Sequence, residues 1–132
     1  MKRVSRQRIH IAPVGFEIDR VVLPAVMDKA DKVYLMIHDN PSEDKATKYA
    51  AEIEKRLKAA KIKTEFISCD WRNIEEITRV TRDLILKESD NEIAINLASG
   101  SKNHAIAMDR ACMTFKKRGN LRPFYAEAID WV

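Results

Sequence analysis

Short strand-like apolar segments alternate with helical patterns along this chain, and this alternation limits the fold more than any other feature. Five such segments lie at residues 8–13, 33–37, 62–68, 92–97 and 122–127. The middle ones are nearly continuous apolar runs, which is typical of strands buried on both faces. Strands separated by helices of this length predict right-handed βαβ crossovers. The sequence therefore predicts an α/β fold with a mostly parallel sheet of about five strands between two helical layers.

The helical patterns are amphipathic, so each offers one apolar side to the sheet. The pattern over 43–60 has Ser42 as its predicted N-cap, and the pattern over 71–88 has Asp70 or Asn73. We expect both helices to pack through apolar residues three and four positions apart. The predicted inward residues are Ala46, Tyr49, Ala50, Ile53, Leu57 and Ala60 in the first helix and Ile74, Ile77, Thr81, Leu84 and Ile85 in the second.

Proline and glycine limit the two remaining helices. Because proline lacks an N–H group, the helix that contains Pro24 is predicted to begin between residues 19 and 22. The last pattern covers 101–118, and Gly119 with Asn120 is predicted to end it. Its predicted inward residues are Ala105, Met108, Ala111, Cys112 and Phe115.

Length and charge narrow the class of protein. A chain of 132 residues fits one domain, placed at 1–132, which can be the N-terminal part of a longer protein. The net charge of +4 is too small to indicate nucleic-acid binding. No apolar run approaches the roughly 20 residues that a membrane span needs, and no signal-peptide pattern is present. A cytoplasmic protein without membrane contact is expected.

Metal and cofactor motifs are missing from the sequence. Cys69 and Cys112 lie outside any Cys-x-x-Cys pair and away from histidine at ligand spacing, so we expect reduced, buried thiols and no metal site. The chain has no G-x-x-x-x-G-K-[ST] pattern and no G-x-G-x-x-G after its first strand. An ATPase and a nicotinamide enzyme are therefore not indicated, and no cofactor is expected.

The predicted strand order selects two loops as the candidate site. In an open α/β sheet a ligand binds beyond the carboxyl ends of the strands, where the strand order reverses. For a Rossmann-like three-layer sandwich of order 3-2-1-4-5, this point lies between the first and fourth strands. The loop "PVGFEIDR" at 13–20 and the loop "ASGSKNH" at 98–104 are then expected to face each other across one crevice.

The first loop offers an aromatic ring and a cation. Gly15 permits backbone geometry that other residues resist. Phe16 is a candidate for stacking on a nucleobase or, alternatively, for packing on the sheet. Arg20 is the side chain available to a phosphate, unless it pairs with Glu17 or Asp19 instead.

The second loop is the stronger indication of a ligand. Ser99, Gly100 and Ser101 bring hydroxyl and backbone N–H groups to a predicted helix N-terminus, where an anion is favoured. Lys102 adds a mobile positive charge. The alternative is an ordinary strand-to-helix turn, in which Ser99 or Ser101 is only the N-cap and Lys102 is solvated. Both interpretations stay open on the residues alone.

The two loops together resemble the CARF domain, the CRISPR-associated Rossmann fold. The resemblance rests on the Gly-Phe loop and on "NLASGSKNHAIAM" after the fourth strand, and it covers most of the chain. It is strongest for archaeal members that carry a C-terminal winged helix and regulate transcription. Ala98 and Ser99 stand where many members have serine and the first glycine, so the match is partial at these two positions.

The resemblance implies which residues contact a ligand. Asn96 is instead a candidate for a buried polar group that braces the loops. Trp71 is expected to pack on a neighbouring helix or a partner surface, with stacking on a ligand as the alternative. The implied ligand-binding residues are Gly15, Phe16, Arg20, His38, Asn40, Ser99, Gly100, Ser101, Lys102 and Asn103, with Asp39 as a further candidate.

The implied function is that of a sensor for cyclic oligoadenylate, the second messenger of type III CRISPR antiviral defence. Cyclic tetra-adenylate is favoured, because its two-fold symmetry matches two copies of an anion site in a homodimer. DNA would be contacted only through a C-terminal domain outside these residues. One alternative is a ring nuclease, in which Lys102 and Ser101 stabilise the reacting phosphate and His38 or His104 is the candidate base. Another is a dimerisation scaffold without ligand.

Overall fold

A five-stranded sheet forms the middle layer of the computed structural model, which describes residues 6–40, 42 and 44–125. The strands are β1 (Arg8–Pro13), β2 (Lys32–Ile37), β3 (Lys63–Ser68), β4 (Glu92–Asn96) and β5 (Leu121–Phe124). Their order is β3-β2-β1-β4-β5, and every neighbouring pair is parallel. The predicted Rossmann-like α/β class and strand order are confirmed.

Two helices pack on each face of the sheet. The helices are α1 (Asp19–Met27), α2 (Ala50–Ala59), α3 (Ile74–Lys87) and α4 (Lys102–Thr114). Ile9 and Ile11 of β1 belong to the core under α3 and α4, whereas Ala12 belongs to the core under α1 and α2. This alternation explains the apolar runs, because the central strands contribute side chains to both cores.

The N-caps of α3 and α4 are among those that the sequence predicts. The Asn73 side chain accepts a hydrogen bond from the Glu76 N–H at 3.0 Å. Ser101 does the same for the His104 N–H at 3.3 Å. Asp70, the other candidate for α3, instead accepts from the Arg72 N–H at 2.9 Å. Both helices therefore begin where a short polar side chain satisfies an N–H group of the first turn.

The second helix begins later than predicted. The pattern predicts a helix over 43–60, whereas a 3-10 turn precedes α2. The Asp44 carboxylate accepts hydrogen bonds from the Ala46 N–H at 3.1 Å and the Thr47 hydroxyl at 2.6 Å. These local bonds compete with the helical ones and divert the backbone. Ser42 is therefore not the N-cap of α2, and that prediction is wrong.

The last helix ends earlier than predicted. The pattern covers 101–118, but α4 ends at Thr114 and turns follow it. No apolar residue lies between Phe115 and Leu121, so nothing holds another helical turn against the sheet. Gly119 is consequently not the residue that ends the helix.

A few smaller differences concern single positions. Ala60 is exposed, since it follows the last turn of α2. Ala105 is only half-buried, and Ala107 is buried in the core instead. The fifth strand begins at Leu121, and residues 126–127 of its predicted range lie outside the described residues.

Cys69 and Cys112 are buried free thiols, as predicted. Burial raises the pKa of each thiol to about 12. Within the described residues, no group of three or more His, Cys, Asp or Glu side chains is arranged to hold a metal ion. None of the helices in this part of the chain has the length and apolar character needed to cross a membrane.

Replacing Ile85 with alanine tests the core under α3 and α4. Ile85 is 0% exposed, whereas its neighbour Leu86 is 51% exposed. Ile85→Ala is expected to lower the free energy of unfolding by about 2–5 kcal/mol, because buried methyl groups are lost and a cavity remains. Urea unfolding followed by circular dichroism measures the loss. The control Leu86→Ala is expected to cost less than about 1 kcal/mol. Equal losses would contradict the assigned core.

Candidate functional site

The loops after β1 and β4 meet through two glycines. A Cβ atom on Gly15 would lie 2.6 Å from the backbone nitrogen of Gly100. A Cβ on Gly100 would lie 2.6 Å from the Cγ of Pro13, and Gly100 has a φ of +78°, which strains other residues. The two backbones can therefore approach this closely only because neither position has a side chain.

Asn96, the last residue of β4, braces both loops from within the core. It is 0% exposed. Its side-chain NH₂ donates to the carbonyl of Arg20 at 2.8 Å, and its Oδ1 accepts from the N–H groups of Ala98 at 2.9 Å and Ser99 at 3.2 Å. Asn96 is thus the buried polar group that the sequence analysis expects to brace the loops.

Arg20 bonds within the protein. Its Nε donates to Glu17 Oε2 at 2.6 Å, and its Nη1 donates to the carbonyl of Ala98 at 3.1 Å. The pairing alternative therefore holds, and Arg20 links the start of α1 to the loop after β4. These two bonds use two of the five N–H donors of the guanidinium and hold the side chain between α1 and the loop after β4.

Ser101 and His104 form a capping box at the start of α4. The Ser101 N–H donates to His104 Nδ1 at 3.0 Å, while the His104 N–H donates to Ser101 Oγ at 3.3 Å. His104 is 6% exposed, and burial lowers the pKa of its imidazole to about 4. The ring is therefore neutral at pH 7, which its role as an acceptor requires. The N–H groups left for a ligand are those of Lys102 and Asn103.

Ser99 and Lys102 have side chains without partners in this part of the chain. Ser99 is 4% exposed, and its hydroxyl has no hydrogen-bond partner among the described residues. Lys102 is exposed on the first turn of α4, and its ammonium forms no ion pair with the described residues. A buried hydroxyl without a partner is costly, so it indicates a place for a polar ligand or a water.

These loops open into a crevice of about 360 Å³. Phe16 is 65% exposed at its rim, with its ring 6.1 Å from that of Tyr49. The far side comes from the loops after β2 and β3. The lining residues are Val14, Gly15, Phe16, Asp44, Lys45, Ala46, Trp71, Gly100, Ser101 and His104.

Sequence reasoning did not place Asp44 or Lys45 in the site, and it gave Trp71 a ligand contact only as the alternative to packing. Trp71 lines the crevice, although we expected it to pack on a helix or a partner. Its indole N–H is buried without a partner among the described residues. The loops after β2 and β3 begin at the same edge of the sheet as the two predicted loops. This shared edge was the signal in the sequence that could have placed them in the site. Which of their residues turn toward the crevice depends on loop paths that periodicity does not encode.

His38 and Asn40 lie beside the crevice and outside its lining. His38 is 3% exposed, its Nδ1 accepts from the Asn40 N–H at 2.9 Å, and its Nε2 bonds to Asp70 at 3.2 Å. The Asn40 side chain accepts from the Ser42 hydroxyl at 2.7 Å. These residues tie the loop after β2 to the loop after β3.

Asn103 and Asp39 also lie next to the crevice lining. The Asn103 side chain donates to the carbonyl of Trp71 at 3.2 Å, so it links α4 to the loop after β3. The Asp39 carboxylate is 3.4 Å from His38 Nδ1, and its side chain is 58% exposed. Of the residues predicted to bind a ligand, the structure brings Gly15, Phe16, Gly100 and Ser101 into the lining itself.

Comparison with known proteins identifies the family. The sequence profile of the family described as "HFX_2341_N:-like, N-terminal" matches residues 8–130. The chain belongs to this family. A relative of this HFX_2341_N-like chain, the uncharacterized protein MJ1513 of Methanocaldococcus jannaschii, is 28% identical over 126 residues. The match covers 91% of this chain and 38% of the relative, so the chain spans well under half of that protein.

Solved structures share the fold of this HFX_2341_N-like domain at low identity. Can2 from Sulfobacillus thermosulfidooxidans, in complex with cyclic tetra-adenylate, has a TM-score of 0.74 at 12% identity, over 91% of this chain and 32% of Can2. Csm6 of Enterococcus italicus, bound to cyclic hexa-2′-fluoro-hexa-dAMP, has a TM-score of 0.76 at 10% identity, over 94% and 34%. At such identities the likeness shows the fold, which agrees with the resemblance to CARF domains.

Gly15→Ala tests the close approach of the two loops. The added methyl group would meet backbone atoms of Gly100, which cannot move aside as a flexible side chain would. We expect the free energy of unfolding to fall by about 1–3 kcal/mol. The matched control is Gly119→Ala, since nothing lies within 4 Å of a Cβ at that position. Thermal unfolding compares the two variants, and a tolerated Gly15→Ala would refute the packing described here.

His104→Gln tests the capping box through pH. The imidazole pKa falls from 6.5 to about 4 on folding because of burial, so the unfolded chain binds a proton first as the pH falls. The contribution of the neutral His104 ring to the free energy of unfolding is complete above pH 6.5 and is lost as the pH falls toward 4. Between pH 7 and pH 5 this loss is expected to reach about 2 kcal/mol.

The glutamine variant keeps an acceptor for the Ser101 N–H and removes this titration. Between pH 7 and pH 5, the free energy of unfolding measured with urea is therefore expected to fall by about 2 kcal/mol less in this variant than in the wild type. His104→Leu, which has no acceptor, should be less stable at every pH. A glutamine variant with the wild-type slope would show that His104 is not the titrating group.

Proposed function

We propose that residues 1–132 form one ligand-binding domain for cyclic oligoadenylate, with cyclic tetra-adenylate favoured, that acts as a sensor in type III CRISPR antiviral signalling. The observation that carries this proposal is the start of α4. There the Ser99 hydroxyl is buried without a partner among the described residues, and it directly precedes Gly100 and Ser101, which line the crevice. The N–H groups of Lys102 and Asn103 and the exposed Lys102 side chain follow them at the start of α4. The ordinary-cap alternative accounts for Ser101, but it leaves the Ser99 hydroxyl unexplained.

The start of α4 suits a phosphate group. The helix dipole and the N–H groups of Lys102 and Asn103 favour an anion at this position. No acidic residue lies in the first turn of α4 within the described chain. The Lys102 ammonium can add a charge-assisted hydrogen bond. A backbone phosphate of the ring is the ligand group that these donors accommodate.

The rim of the crevice suits a nucleobase. Phe16 is 65% exposed, and an exposed aromatic ring next to an anion site is typical of proteins that stack on unpaired bases. Its only described ring contact is the edge-to-face one with Tyr49, which leaves a ring face available. Phe16 is thus the proposed stacking partner for an adenine.

The solved neighbours support the ligand class. Can2 was solved with cyclic tetra-adenylate, and Csm6 was solved with a cyclic hexanucleotide analogue. A third neighbour is described as a type III CRISPR defence DNA nuclease activated by cyclic oligoadenylate, with a TM-score of 0.71 at 13% identity. All three share the fold of this chain, which makes this ligand class the preferred hypothesis.

The proposed homodimer is supported by the exposed side of α4. Ile106 is 48% exposed and Met113 is 57% exposed, and both lie on the same side of the helix as Lys102. Two copies that pack along this stripe, with their α4 helices in the same direction, would bring both crevices to one end of the dimer. One two-fold symmetric ring could then contact both α4 starts.

Regulation is preferred to cleavage. The imidazole of His104 has a pKa of about 4 because of burial, and its Nδ1 already accepts the Ser101 N–H, so it is a weak general base at pH 7. His38 bonds to Asp70 and to the Asn40 N–H. We therefore propose that ring binding is read by a further domain outside these residues, which regulates transcription through contact with DNA.

Calorimetric titration with cyclic tetra-adenylate, followed by chromatography of the recovered ligand, tests the proposal. Binding at one ring per two chains with the ligand intact is expected. Lys102→Ala is expected to weaken binding roughly tenfold, because a charge-assisted contact to phosphate is lost. The matched control is Lys117→Ala, which removes the same charge beyond the other end of α4 and should bind as the wild type does.

Three results would contradict the proposal. Linear product in the recovered ligand would move the function to a ring nuclease. If Lys117→Ala weakens binding as much as Lys102→Ala does, the ligand is attracted by the general positive charge of the protein. No heat with cyclic tetra- or hexa-adenylate would leave the dimerisation scaffold as the better explanation.

A further inference from the structure

Asp44 is an acidic side chain in a crevice that is otherwise suited to an anion. It is the only acidic residue among the described residues that line the crevice. A carboxylate repels phosphate at short range, so the part of a ligand near Asp44 is not a phosphate. A carboxylate instead accepts hydrogen bonds, which favours a ligand group with an O–H or N–H donor there.

The position of Asp44 is fixed by two bonds. Its Oδ1 accepts from the Ala46 N–H at 3.1 Å, and its Oδ2 accepts from the Thr47 hydroxyl at 2.6 Å. An ionised carboxylate has about four lone-pair sites, so each oxygen can still accept another hydrogen bond. The Asp44 charge also reaches His104 across the crevice, where it opposes the effect of burial on the imidazole pKa. Asp44 is therefore an oriented acceptor opposite the start of α4.

A ribose hydroxyl suits this acceptor better than an adenine does. The amine of adenine lies between N1 and N7, which are acceptors, so a carboxylate beside it also faces a lone pair. Asparagine and glutamine match that edge, because they offer a donor and an acceptor together. A 2′-hydroxyl can rotate its O–H toward the carboxylate and away from the neighbouring 3′ phosphate ester. In dinucleotide-binding α/β folds an acidic residue accepts from a ribose 2′-hydroxyl in the same way.

We propose that Asp44 accepts a hydrogen bond from a ribose 2′-hydroxyl of the ligand and makes the crevice selective for ribonucleotides. This assignment rests on the proposed function, since it takes the ligand to be a cyclic oligonucleotide. It divides the crevice into two parts. The start of α4 holds a phosphate, and the loop after β2 selects the sugar next to it.

The test compares two rings on two variants. The probes are cyclic tetra-adenylate and the analogue with fluorine at every 2′ position, which keeps the size and removes the donor. The wild-type chain is expected to bind the ribose ring at least roughly tenfold more tightly. Asp44→Asn is expected to reduce this preference to within about threefold, because the charged acceptor is lost. The ratio of the two affinities cancels any effect of the substitution on the loop itself.

Asp90→Asn is the matched control, since it removes the same charge from the turn between α3 and β4, at the opposite edge of the sheet. The Asp90 side chain is exposed and lies outside the crevice lining. This variant should keep the wild-type preference for the ribose ring, and a loss of that preference would overturn the proposal. A wild-type chain that binds both rings equally would overturn it as well.

Three further outcomes separate this proposal from others. If Asp44→Asn weakens both rings by the same factor, Asp44 only supports the loop, and the proposal fails while the proposed function stands. A third probe, the cyclic tetranucleotide with unsubstituted purine in place of adenine, tests contact with the base. If the variant keeps its ribose preference but no longer prefers adenine to this purine, Asp44 contacts the base and the proposal again fails. If the wild-type chain binds neither ring, the proposed function fails and this assignment fails with it.

Discussion

The carboxamide of Asn96 is the interaction on which the carboxyl edge of the sheet depends. It bonds to one carbonyl of α1 and to two N–H groups of the loop after β4. Because Asn96 is fully buried, each of these groups would be left without a partner if the side chain were lost. The turn through Ala98 and Ser99 follows from these bonds, and only with that turn in place can Gly100 lie against Gly15.

The close contact between loops also explains how the second motif tolerates its departures from the CARF pattern. Ala98 is 8% exposed and lies outside the crevice lining, and its carbonyl accepts a hydrogen bond from Arg20. The position that needs glycine is Gly100, which has the positive φ and lies against Pro13. Ser99 contributes a hydroxyl where a glycine would contribute only backbone. Gly100 is therefore the position of this loop at which a side chain is excluded.

The sheet could be predicted from the sequence because burial on both faces produces apolar runs that nothing else in a small domain requires. The start of α2 could not, because the carboxylate of Asp44 forms local bonds that override a helical pattern. Two of the four loops of the crevice followed from strand order. The positions of Trp71 and Asp44 in the crevice could not be predicted, since the direction of their side chains depends on loop paths. The pairing of Arg20 with Glu17 was only one of two alternatives that the sequence left open.

The capping box of α4 uses a histidine where the usual partner is glutamate or glutamine. A glutamate at this position would satisfy the same N–H group but would also place a negative charge at the positive end of the helix. The neutral imidazole of His104 completes the box without that charge. Asp19, Glu52 and Glu75 lie in the first turns of the other three helices. Among the described helices, α4 alone keeps its dipole uncompensated, and it is the one that begins at the crevice.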